Sequence, residues 1–405
     1  MTITNKKILT LLAALRGLIV RDSWRRIKKA DVLLIGHDHH FNYIYNKKLY
    51  SPLLGSMFEE KTAQHLHVIT VLKPFSAINP RNLWQPCLTY NFYHIWTLGL
   101  RCLGRIFRVA SFEARANHRE FKLWERLLIE ASPREVIAIM PEAPLCEAAR
   151  KFKIPIADLQ HGVINDSHPY YGERFRKHTP PSHLPTQFLV WHEDAKDTIS
   201  KWAHSKGIET RVVGHPWLKR FSQPSPGDTL VREAIKEKVF SNGKPTILVS
   251  LQWGLEKYYP TSDFNGFMAT GLEKAILNTC NIYNWMLRLH PAQLHGRRKV
   301  DALRYLNSRF AGRSNIEWIR SSYLALPVAL SQCDLHITSF STVVTEAAWM
   351  GIRSGITDKE VSIGGIRENY YTREKKSGMA VVIGDNQQDI ENWISKELFS
   401  KFLCT

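Results

Sequence analysis

The feature that most constrains the fold of this chain is a regular alternation of short, continuous apolar runs with longer stretches of helical spacing. A short apolar run between turn signals is typical of a strand that is buried on both faces, and such strands form parallel sheets connected by helices. The runs fall into two series of six. The first series covers residues 32–36, 67–72, 135–140, 155–160, 188–191 and 211–214. The second series covers residues 246–252, 285–291, 316–319, 335–339, 354–357 and 380–384.

Helical stretches and a linker complete this pattern. Residues 142–153 and 195–207 show helical spacing, and Gly207 stands where a helix would end. Residues 222–228, SQPSPGD, have the composition of a linker. The sequence therefore predicts an α/β protein with two Rossmann-like domains that face a central cleft. The predicted segments are an N-terminal helix (1–30), a first domain (31–217), a linker (218–244), a second domain (245–385) and a C-terminal helix (386–405).

The chain has a large excess of positive charge. Its 405 residues include 55 Lys and Arg against 37 Asp and Glu, a formal net charge of +18. This field favours an anionic partner, whether a nucleic acid, an acidic membrane surface or a phosphorylated substrate. The sequence contains no RNP, KH or helix-turn-helix signature. A basic nucleic-acid-binding protein is therefore the distant alternative, and we expect no nucleic-acid partner.

Part of the positive charge lies in the first 29 residues, which contain eight Lys and Arg and one acidic residue, Asp22. Apolar residues recur there at helical spacing, which predicts a basic amphipathic helix on an anionic membrane surface. The alternative is a helix that packs on the first domain and leaves a solvated basic face. Arg16 interrupts the apolar run, which argues against a signal peptide.

A second apolar stretch, residues 87–107, is also predicted to be a helix, with Arg101, Arg105 and Arg108 spaced for one face. It either extends the membrane-facing surface or forms a buried helix of the first domain. No run reaches the roughly 18 uninterrupted apolar residues of a membrane span, so we expect a peripheral protein. Six scattered cysteines without a CxxC pair are expected to be reduced, mostly buried thiols.

Two segments of the second domain bring polar side chains to strand ends, where doubly wound sheets bind their ligands. The first is the pair His290-Pro291 at the end of an apolar run. An imidazole at this point can donate a hydrogen bond to a nucleotide phosphate or stabilise a leaving group. The alternative is that His290 ends its strand and hydrogen-bonds only to neighbouring backbone groups.

The second segment is a turn rich in hydroxyl groups between a strand and a helix. Ser339, Ser341 and Thr342 lie in this turn, where free N–H groups at a helix N-terminus can bind a phosphate. Glu346 follows four to five residues into the predicted helix, near enough to the same end to hydrogen-bond a ribose diol. The alternative is plain capping of the helix by Ser or Thr, with Glu346 as a supporting residue.

These two motifs, in this order, resemble the donor-nucleotide site of GT-B glycosyltransferases. The His-Pro pair followed by the Ser-x-Ser/Thr turn is similar to that of bacterial enzymes of capsule and lipopolysaccharide assembly that use CMP-sugars, namely Kdo transferases and bacterial sialyltransferases. The resemblance implies a GT-B fold with the acceptor in the first domain and a nucleotide-sugar donor in the second. It also implies no cofactor besides that donor.

A third segment of the second domain fits the same resemblance. Gln252, Trp253 and Gly254 follow the first strand of that domain. GT-B enzymes bring backbone amides against the donor phosphate at the corresponding place. The alternative is a strand-to-helix turn without a ligand.

The first domain departs from the sialyltransferase pattern, because it has no acidic D/E-D/E-G motif. One of its strand ends offers instead residues 158–162, DLQHG, whose QHG triplet resembles that of many surface-polysaccharide transferases. His161 belongs to this triplet. The departure disfavours sialic acid as the donor sugar and favours Kdo or another sugar.

Glycosyl transfer needs a carboxylate beside the acceptor hydroxyl, as a general base or as a nucleophile. Glu142 and Asp158 rank first because each adjoins a strand end near a tight turn. Asp38 and Asp166 are the remaining candidates. For each of the four, the alternative is a structural cap or an ion pair.

A metal site is not expected. His37, His39 and His40 crowd one loop, but histidines so close in sequence cannot all converge on one ion, and no partner cluster exists. The DxD, GxGxxG and P-loop motifs are absent as well, which disfavours dinucleotide and P-loop chemistry.

Together these observations predict a metal-independent glycosyltransferase, peripheral on the cytoplasmic face of a bacterial inner membrane, that extends a surface glycan or glycolipid acceptor. The favoured donor is a CMP-linked acid sugar such as Kdo. The residues expected to carry the reaction are Glu142, Asp158, His161 and His290. The enzyme alternatives are a UDP- or GDP-hexose transferase, a CDP-polyol phosphotransferase and a sugar-nucleotide 2-epimerase of the same fold.

Overall fold

The fold is that of a computed structural model, which describes residues 20, 22–73, 75–255, 259–260, 262–294 and 296–403. The chain divides into two compact units, Met1–Arg220 and Phe221–Thr405. Most of the predicted N-terminal helix, residues 1–30, lies outside the described residues. No helix of the described part is both long enough and apolar enough to cross a membrane.

The first unit contains a seven-stranded sheet in which every neighbouring pair of strands is parallel. Its strands and one small hairpin are β1 (Val32–Gly36), β2 (Tyr43–Tyr45), β3 (Lys48–Tyr50), β4 (Val68–Leu72), β5 (Cys87–Leu88), β6 (Glu135–Ala138), β7 (Ile156–Leu159), β8 (Gln187–Val190) and β9 (Glu209–Val212). The strand order is β5-β4-β1-β6-β7-β8-β9, and β2 and β3 form the separate antiparallel hairpin. The chain thus winds outward from β1 in both directions, as the alternating pattern predicted.

The helices of the first unit cover this sheet. They are α1 (Pro52–Ala63), α2 (Asn91–Phe107), α3 (Ala110–Ala131), α4 (Ala143–Lys151), α5 (Glu173–Arg176) and α6 (Glu193–Ala203), and α7 (Pro216–Ser222) crosses the boundary between the units. Helix α1 lies so close to the end of β1 that a Cβ at Gly36 would stand 2.2 Å from Leu54 Cδ1. Only glycine allows this approach. The carboxyl end of β1 is therefore held tightly against α1.

The second unit contains a six-stranded parallel sheet with the order β12-β11-β10-β13-β14-β15. The strands are β10 (Thr246–Ser250), β11 (Asn284–Arg288), β12 (Ile316–Glu317), β13 (Leu335–Thr338), β14 (Arg353–Ile356) and β15 (Ala380–Val382). The helices are α8 (Thr229–Ala234), α9 (Thr270–Thr279), α10 (Gly296–Phe310), α11 (Ile319–Tyr323), α12 (Leu326–Ser331), α13 (Val343–Trp349), α14 (Thr372–Lys376) and α15 (Gln387–Leu403). All six predicted strands of this unit are present. The order is that of a Rossmann sheet.

A buried histidine connects three neighbouring strands at the centre of the second sheet by hydrogen bonds. The two ring nitrogens of His336 lie 2.9 Å from the Ser354 hydroxyl and 2.9 Å from the Ser250 hydroxyl, which belong to the two neighbouring strands. Burial lowers the pKa of His336 to about 3, so the ring is neutral. Its role is structural, because no part of the side chain reaches the surface.

One local prediction is wrong. Residues 87–107 are not one helix, because Cys87–Leu88 form edge strand β5 and α2 begins only at Asn91. Asp22 caps that helix, with its carboxylate oxygens 2.8 Å from the Phe92 N–H and 3.1 Å from the Tyr93 N–H. This cap lies about seventy residues earlier in the chain, so local sequence could not show where the helix starts.

The hairpin β2–β3 was also not predicted. Asn46 and Lys47 form its turn with φ values of 48° and 60°, the mirror-image turn geometry that suits a two-residue hairpin. The strands are only three residues long, which leaves almost no alternation to detect. The five cysteines of the described part are free and four of them are buried, as expected.

Candidate functional site

In the first unit, polar side chains converge at the carboxyl ends of four neighbouring strands. Most of them lie in the loops that follow β1, β4, β6 and β7, and Asp158 lies within β7 itself. The central members are Lys73, Glu142, Asp158 and His161. Parallel strands bring these loops to one edge of the sheet. We call this group, with the helix residues Arg101 and Glu120 that reach it, the first-unit cluster.

Lys73 is the most unusual member of the cluster, because this cationic side chain is only 1% exposed. Its ammonium group donates a 2.7 Å hydrogen bond to the Met140 carbonyl. Burial lowers its pKa, while the nearby carboxylates of Glu142 and Asp158 oppose that shift. A lysine is rarely buried unless it is paired, so its position indicates a site in which a fixed positive charge is needed.

Asp158, one of the two favoured carboxylates, is fully buried and holds backbone in place. Its Oδ1 accepts a 2.9 Å hydrogen bond from the N–H of Met140, which has a left-handed φ of 49°. Together with the bond from Lys73 to the Met140 carbonyl, this contact fixes the loop between β6 and α4 on both sides. Burial raises the pKa of Asp158 to about 7, against opposing hydrogen bonds and charges.

Glu142, the other favoured carboxylate, is half-buried at the start of α4. Although burial opposes its ionisation, the charges of Lys73 and Arg101 hold the pKa of Glu142 below its ordinary value. The side chain makes no capping hydrogen bond to the helix that it precedes. Glu142 is therefore an ionised carboxylate at the edge of the cluster, which the capping alternative does not explain.

Glu120, on α3, is a member that sequence reasoning missed. Its side chain is completely buried and its Oε2 lies 2.5 Å from an Arg101 nitrogen. Its carboxyl group interacts electrostatically with that of Glu142. Burial and the neighbouring Glu142 charge raise the pKa of Glu120 to about 7. Of the two neighbouring carboxyl groups, Glu120 is therefore the one that holds a proton more tightly.

A group of histidines borders the first-unit cluster. The rings of His40 and His161 lie 5.8 Å apart between centroids, and those of His39 and His40 lie 4.1 Å apart. The pKa values of His161 and His37 are both lowered to about 4, mainly by burial. These rings are neutral at pH 7. In the described ranges, no group of three His, Cys, Asp or Glu residues is arranged to hold a metal ion.

Three further sequence candidates have structural partners. Gln160 of the QHG triplet is buried, and its side-chain amide makes two hydrogen bonds to backbone. Its Oε1 accepts from the Trp191 N–H at 2.7 Å, and its Nε2 donates to the Gly162 carbonyl at 2.7 Å. Asp38 Oδ2 accepts a 2.7 Å bond from the Ala77 N–H, joining the loops after β1 and β4. Asp166 lies on the surface, 2.7 Å from Lys201, and stands apart from the cluster.

In the second unit, a buried glutamine connects two of the predicted segments. Gln293 Oε1 accepts a 2.8 Å hydrogen bond from the N–H of His290, and Gln293 Nε2 donates at 2.9 Å to the carbonyl of Gln252. The loops after β10 and β11 are thus held together by one side chain. Pro291 begins the short 3-10 turn that places Gln293 there, so the proline fixes local geometry.

The hydrogen bonds of His290 determine its tautomer. Its Nδ1 accepts a 3.1 Å bond from the Ala292 N–H, so the proton of the neutral ring is on Nε2. Burial first, and the charge of Arg298 second, lower the pKa of His290 to about 4. His290 is therefore a neutral donor through Nε2–H at pH 7. A donor of this kind suits an anionic ligand without adding a titrating charge.

Arg298 and Trp253 complete a partly exposed platform beside His290, and Arg298 was not singled out from the sequence. The guanidinium carbon lies 3.9 Å from the centre of the Trp253 ring. The rings of Trp253 and His290 lie 6.1 Å apart. Gly254 follows with a φ of 78°, the region that favours glycine, so the chain turns sharply there. We call Gln252, Trp253, Gly254, His290 and Arg298 the second-unit cluster.

The hydroxyl-rich turn after β13 is largely engaged in local structure. Ser339 shares a 3.0 Å hydrogen bond with Thr357, and Ser341 Oγ accepts the N–H of Val343 at 3.3 Å. Thr342 makes no side-chain capping bond, and Glu346 is buried in the first turn of α13. Ser341 therefore makes a local turn contact, and neither serine nor threonine caps the helix through its side chain.

A small pocket opens beside this turn. It is lined by nine residues of the second unit, which are Tyr259, Asp263, Phe264, Ala269, Ser339, Thr357, Asp358, Lys359 and Asp385. The Asp358 carboxylate is fully buried, 2.7 Å from the Tyr259 hydroxyl and 3.2 Å from Arg367. This network was not visible in the sequence, since Tyr259 lies about a hundred residues before Asp358 and Arg367, which share the connection between β14 and α14.

No protein-family model matches this chain, and no curated protein matches its sequence. Solved structures do match its fold. The UDP-GlcNAc 2-epimerase of Methanocaldococcus jannaschii superposes with a TM-score of 0.55 at 14% identity, over 90% of this chain and 91% of that one. The UDP-GlcNAc 2-epimerase of Neisseria meningitidis, bound to UDP-GlcNAc, gives 0.52 at 12% identity, over 90% of each chain.

A variant of the wall teichoic acid polymerase TagF gives a TM-score of 0.50 at 12% identity, over 89% of this chain and 79% of that one. At these identities the similarity is one of fold. It confirms the predicted fold class, an α/β chain with two Rossmann-like domains of the GT-B type. The similarity covers both units, whereas the sequence-level resemblance rested on a few short motifs.

Proposed function

We propose that this chain is a glycosyltransferase that uses a nucleotide-activated sugar, binding the nucleotide at the second-unit cluster and activating the acceptor at the first-unit cluster. The observation that carries the proposal is that two hydrogen-bond donors, His290 and Arg298, lie near each other at the carboxyl edge of a Rossmann sheet. The Nε2–H of His290 and the Arg298 guanidinium are donors suited to phosphate oxygens. Trp253 offers an exposed aromatic face beside them.

The first-unit cluster supplies the complementary chemistry. Transfer to a hydroxyl acceptor requires a group that removes the hydroxyl proton as the new bond forms. Glu142 is half-buried and its pKa is held below its ordinary value, whereas the pKa of the neighbouring Glu120 is raised. In this proposal Glu142 is the general base. Asp158 is then a positioning residue, since its contact is with the Met140 backbone.

A CMP-linked acid sugar such as Kdo is the first donor to test, and a surface glycan or glycolipid is the proposed acceptor. The support is the sequence pairing of the His290-Pro291 motif with the Ser341-Thr342 turn. Action at the cytoplasmic face of an inner membrane is part of the same proposal, supported by the net charge of +18. No cofactor besides the donor is proposed.

A sugar-nucleotide 2-epimerase is the second candidate. It is favoured by the fold similarity to two UDP-GlcNAc 2-epimerases, one of them bound to UDP-GlcNAc. An epimerase needs no acceptor. Incubation with UDP-GlcNAc alone, followed by NMR of the sugar ring protons, separates the two functions, because only an epimerase would produce a second isomer.

Nucleotide binding tests the proposal directly. In a thermal-shift screen with CMP, CDP, UDP and GDP, the nucleotides of one base should raise the unfolding temperature of the protein. A ligand that binds only the folded state stabilises that state. His290→Ala should weaken binding of that nucleotide by about tenfold, because it removes one donor to a charged group. The matched control is His204→Ala, an exposed histidine of the first unit. A screen without any shift, or equal affinity in both variants, would remove the basis of the donor site.

A further inference from the structure

Tyr323 is an exposed aromatic residue that lies beside the proposed donor site. It is the last residue of α11, which follows β12 at the carboxyl edge of the second sheet, and it is 37% exposed. His290, whose ring N–H is proposed to bind the donor phosphate, comes after the neighbouring strand β11. Because β11 and β12 are parallel, Tyr323 and His290 are brought to the same edge of the sheet.

Hydrogen bonds fasten α11 to the end of β11. The hydroxyl of Ser322 accepts the N–H of Leu289 at 2.9 Å, and these two residues directly precede Tyr323 and His290 in the chain. On the other side of Tyr323, the Arg288 guanidinium donates to a main-chain carbonyl at 2.9 Å. The backbone on both sides of Tyr323 is therefore bonded to the segment that leads into His290.

Lys299, in the first turn of α10, lies at the edge of the Tyr323 ring. Its ammonium group donates a 2.9 Å hydrogen bond to the Tyr323 hydroxyl and lies 5.5 Å from the centre of the ring. These two distances place the nitrogen beyond the hydroxyl and close to the plane of the ring. The lysine therefore adds a cation at the ring edge without covering a ring face.

Trp253 is a second exposed aromatic residue of this edge, at 40%, but its ring is used differently. The guanidinium carbon of Arg298 lies 3.9 Å from the centre of the Trp253 ring, so one face of the indole is covered. Arg298 and Lys299 are consecutive residues of α10. One helical turn thus places a cation on the face of Trp253 and another at the edge of Tyr323, and Tyr323 is the better ring for a planar ligand to stack on.

A nucleobase has the two features that this pair of side chains can contact, a π face and an edge with hydrogen-bond acceptors. Every base can stack on an aromatic ring, whereas the lysine ammonium donates hydrogen bonds and accepts none. Cytosine presents two adjacent acceptors, O2 and N3, on one edge. Uracil has an N–H group between its two carbonyl groups. A side chain that only donates therefore favours cytosine over uracil.

We propose that Tyr323 and Lys299 form the nucleobase subsite of the donor site, with cytosine stacked on the ring of Tyr323 and its O2 and N3 directed at the ammonium of Lys299. Neighbouring strands lie about 4.8 Å apart, so one ribose can join this base to a phosphate at His290. The inference rests on the proposed function and deepens it, since it assigns the base of the donor to named residues and leaves Arg298 to the phosphate.

The test is isothermal titration calorimetry of the full-length protein with CMP and with ribose 5-phosphate, which has the sugar and the phosphate but no base. Tyr323→Ala should weaken binding of CMP by about tenfold, because the base loses its stacking partner. It should leave the affinity for ribose 5-phosphate unchanged. Tyr323→Phe keeps the ring and should retain most of the CMP affinity. The matched control is Phe399→Ala, which removes a 66% exposed aromatic residue of α15 and should bind both ligands like wild type.

A second variant tests the contact to the edge of the base. The wild type should bind CMP more tightly than UMP. Lys299→Met should weaken binding of CMP by about tenfold, because a hydrogen bond from a charged group is lost, and should weaken binding of UMP less. Lys396→Met, an exposed lysine of α15, is the control and should bind both nucleotides like wild type.

Equal CMP affinity in Tyr323→Ala and Phe399→Ala would overturn the proposal. Equal losses for CMP and ribose 5-phosphate in Tyr323→Ala would also overturn it, because they would show that the ring only supports the structure. A wild type that binds UMP as tightly as CMP would contradict the assignment of cytosine. A wild type that binds none of the three ligands would refute the donor site itself, a result distinct from a wild type that binds CMP and a Tyr323→Ala variant that binds it equally well.

Discussion

The two clusters occupy equivalent edges of two similar sheets, yet their chemistry differs. The first-unit cluster is built from ionisable side chains whose pKa values are displaced, including Lys73, Glu120 and Asp158. The second-unit cluster relies on neutral donors and backbone, and Arg298 is its one cation. Displaced proton affinities suit proton transfer, whereas fixed donors suit binding of an anion. The difference supports the proposed division, with proton transfer in the first unit and ligand binding in the second.

The largest expected effect concerns the buried cation of the first unit. Lys73→Met should lower the free energy of unfolding by about 3 to 5 kcal/mol, because it leaves the buried carboxylates beside it without a compensating charge. Denaturant unfolding measures this. The control is Lys201→Met, which removes a lysine from an exposed ion pair with Asp166 and should change stability by at most about 1 kcal/mol. Similar losses for both variants would show that the charge of Lys73 is not structurally special.

The next effect separates the two carboxylates of the first unit. Glu142→Gln should lower kcat by about a hundredfold, because the amide keeps the shape but cannot accept the acceptor's proton. Asp158→Asn should lower kcat less, since an amide oxygen can still accept the Met140 N–H. Steady-state kinetics with saturating donor measure both. Asp166→Asn, on the surface, is the control and should be unchanged. A larger loss for Asp158→Asn than for Glu142→Gln would reverse the assigned roles.

The smallest effect is a pH dependence of stability. Because the pKa of Glu120 is raised to about 7 in the folded chain, Glu120 binds its proton more tightly there than in the unfolded chain. Its contribution to stability is therefore fully present below its ordinary pKa and is lost as pH rises through about 7. Raising the pH from 5 to 8 should therefore lower the unfolding free energy of the wild type relative to that of Glu120→Gln.

Histidines that face the cluster oppose this trend in the wild type, since His37, His94 and His161 have lowered pKa values. Their contribution is present above their ordinary pKa and is lost as pH falls through about 4. His37 and His161 keep their surroundings in Glu120→Gln and cancel in the comparison, whereas His94 lies 3.7 Å from Glu120 and contributes to the difference. A difference that stays flat between pH 5 and pH 8 would show that Glu120 is not the group that holds the proton.

The fold was largely predictable because buried parallel strands leave a strong local signal. The short edge strand β5 and the hairpin β2–β3 were missed, since two or three residues carry no detectable alternation. Glu142 and His290 were found because each follows a strand end. Glu120 and Arg298 were missed because they lie within helices, and only the tertiary fold brings them to their clusters.

The most direct test of the division of roles is the nucleotide dissociation constant of two variants, measured by isothermal titration calorimetry on the full-length protein. Arg298→Gln removes the cation of the second-unit cluster and should weaken nucleotide binding by about tenfold or more. Glu142→Gln changes only the first-unit cluster and should bind nucleotide within about twofold of wild type while losing turnover. Nucleotide affinity that is unchanged in Arg298→Gln and reduced in Glu142→Gln would contradict the account.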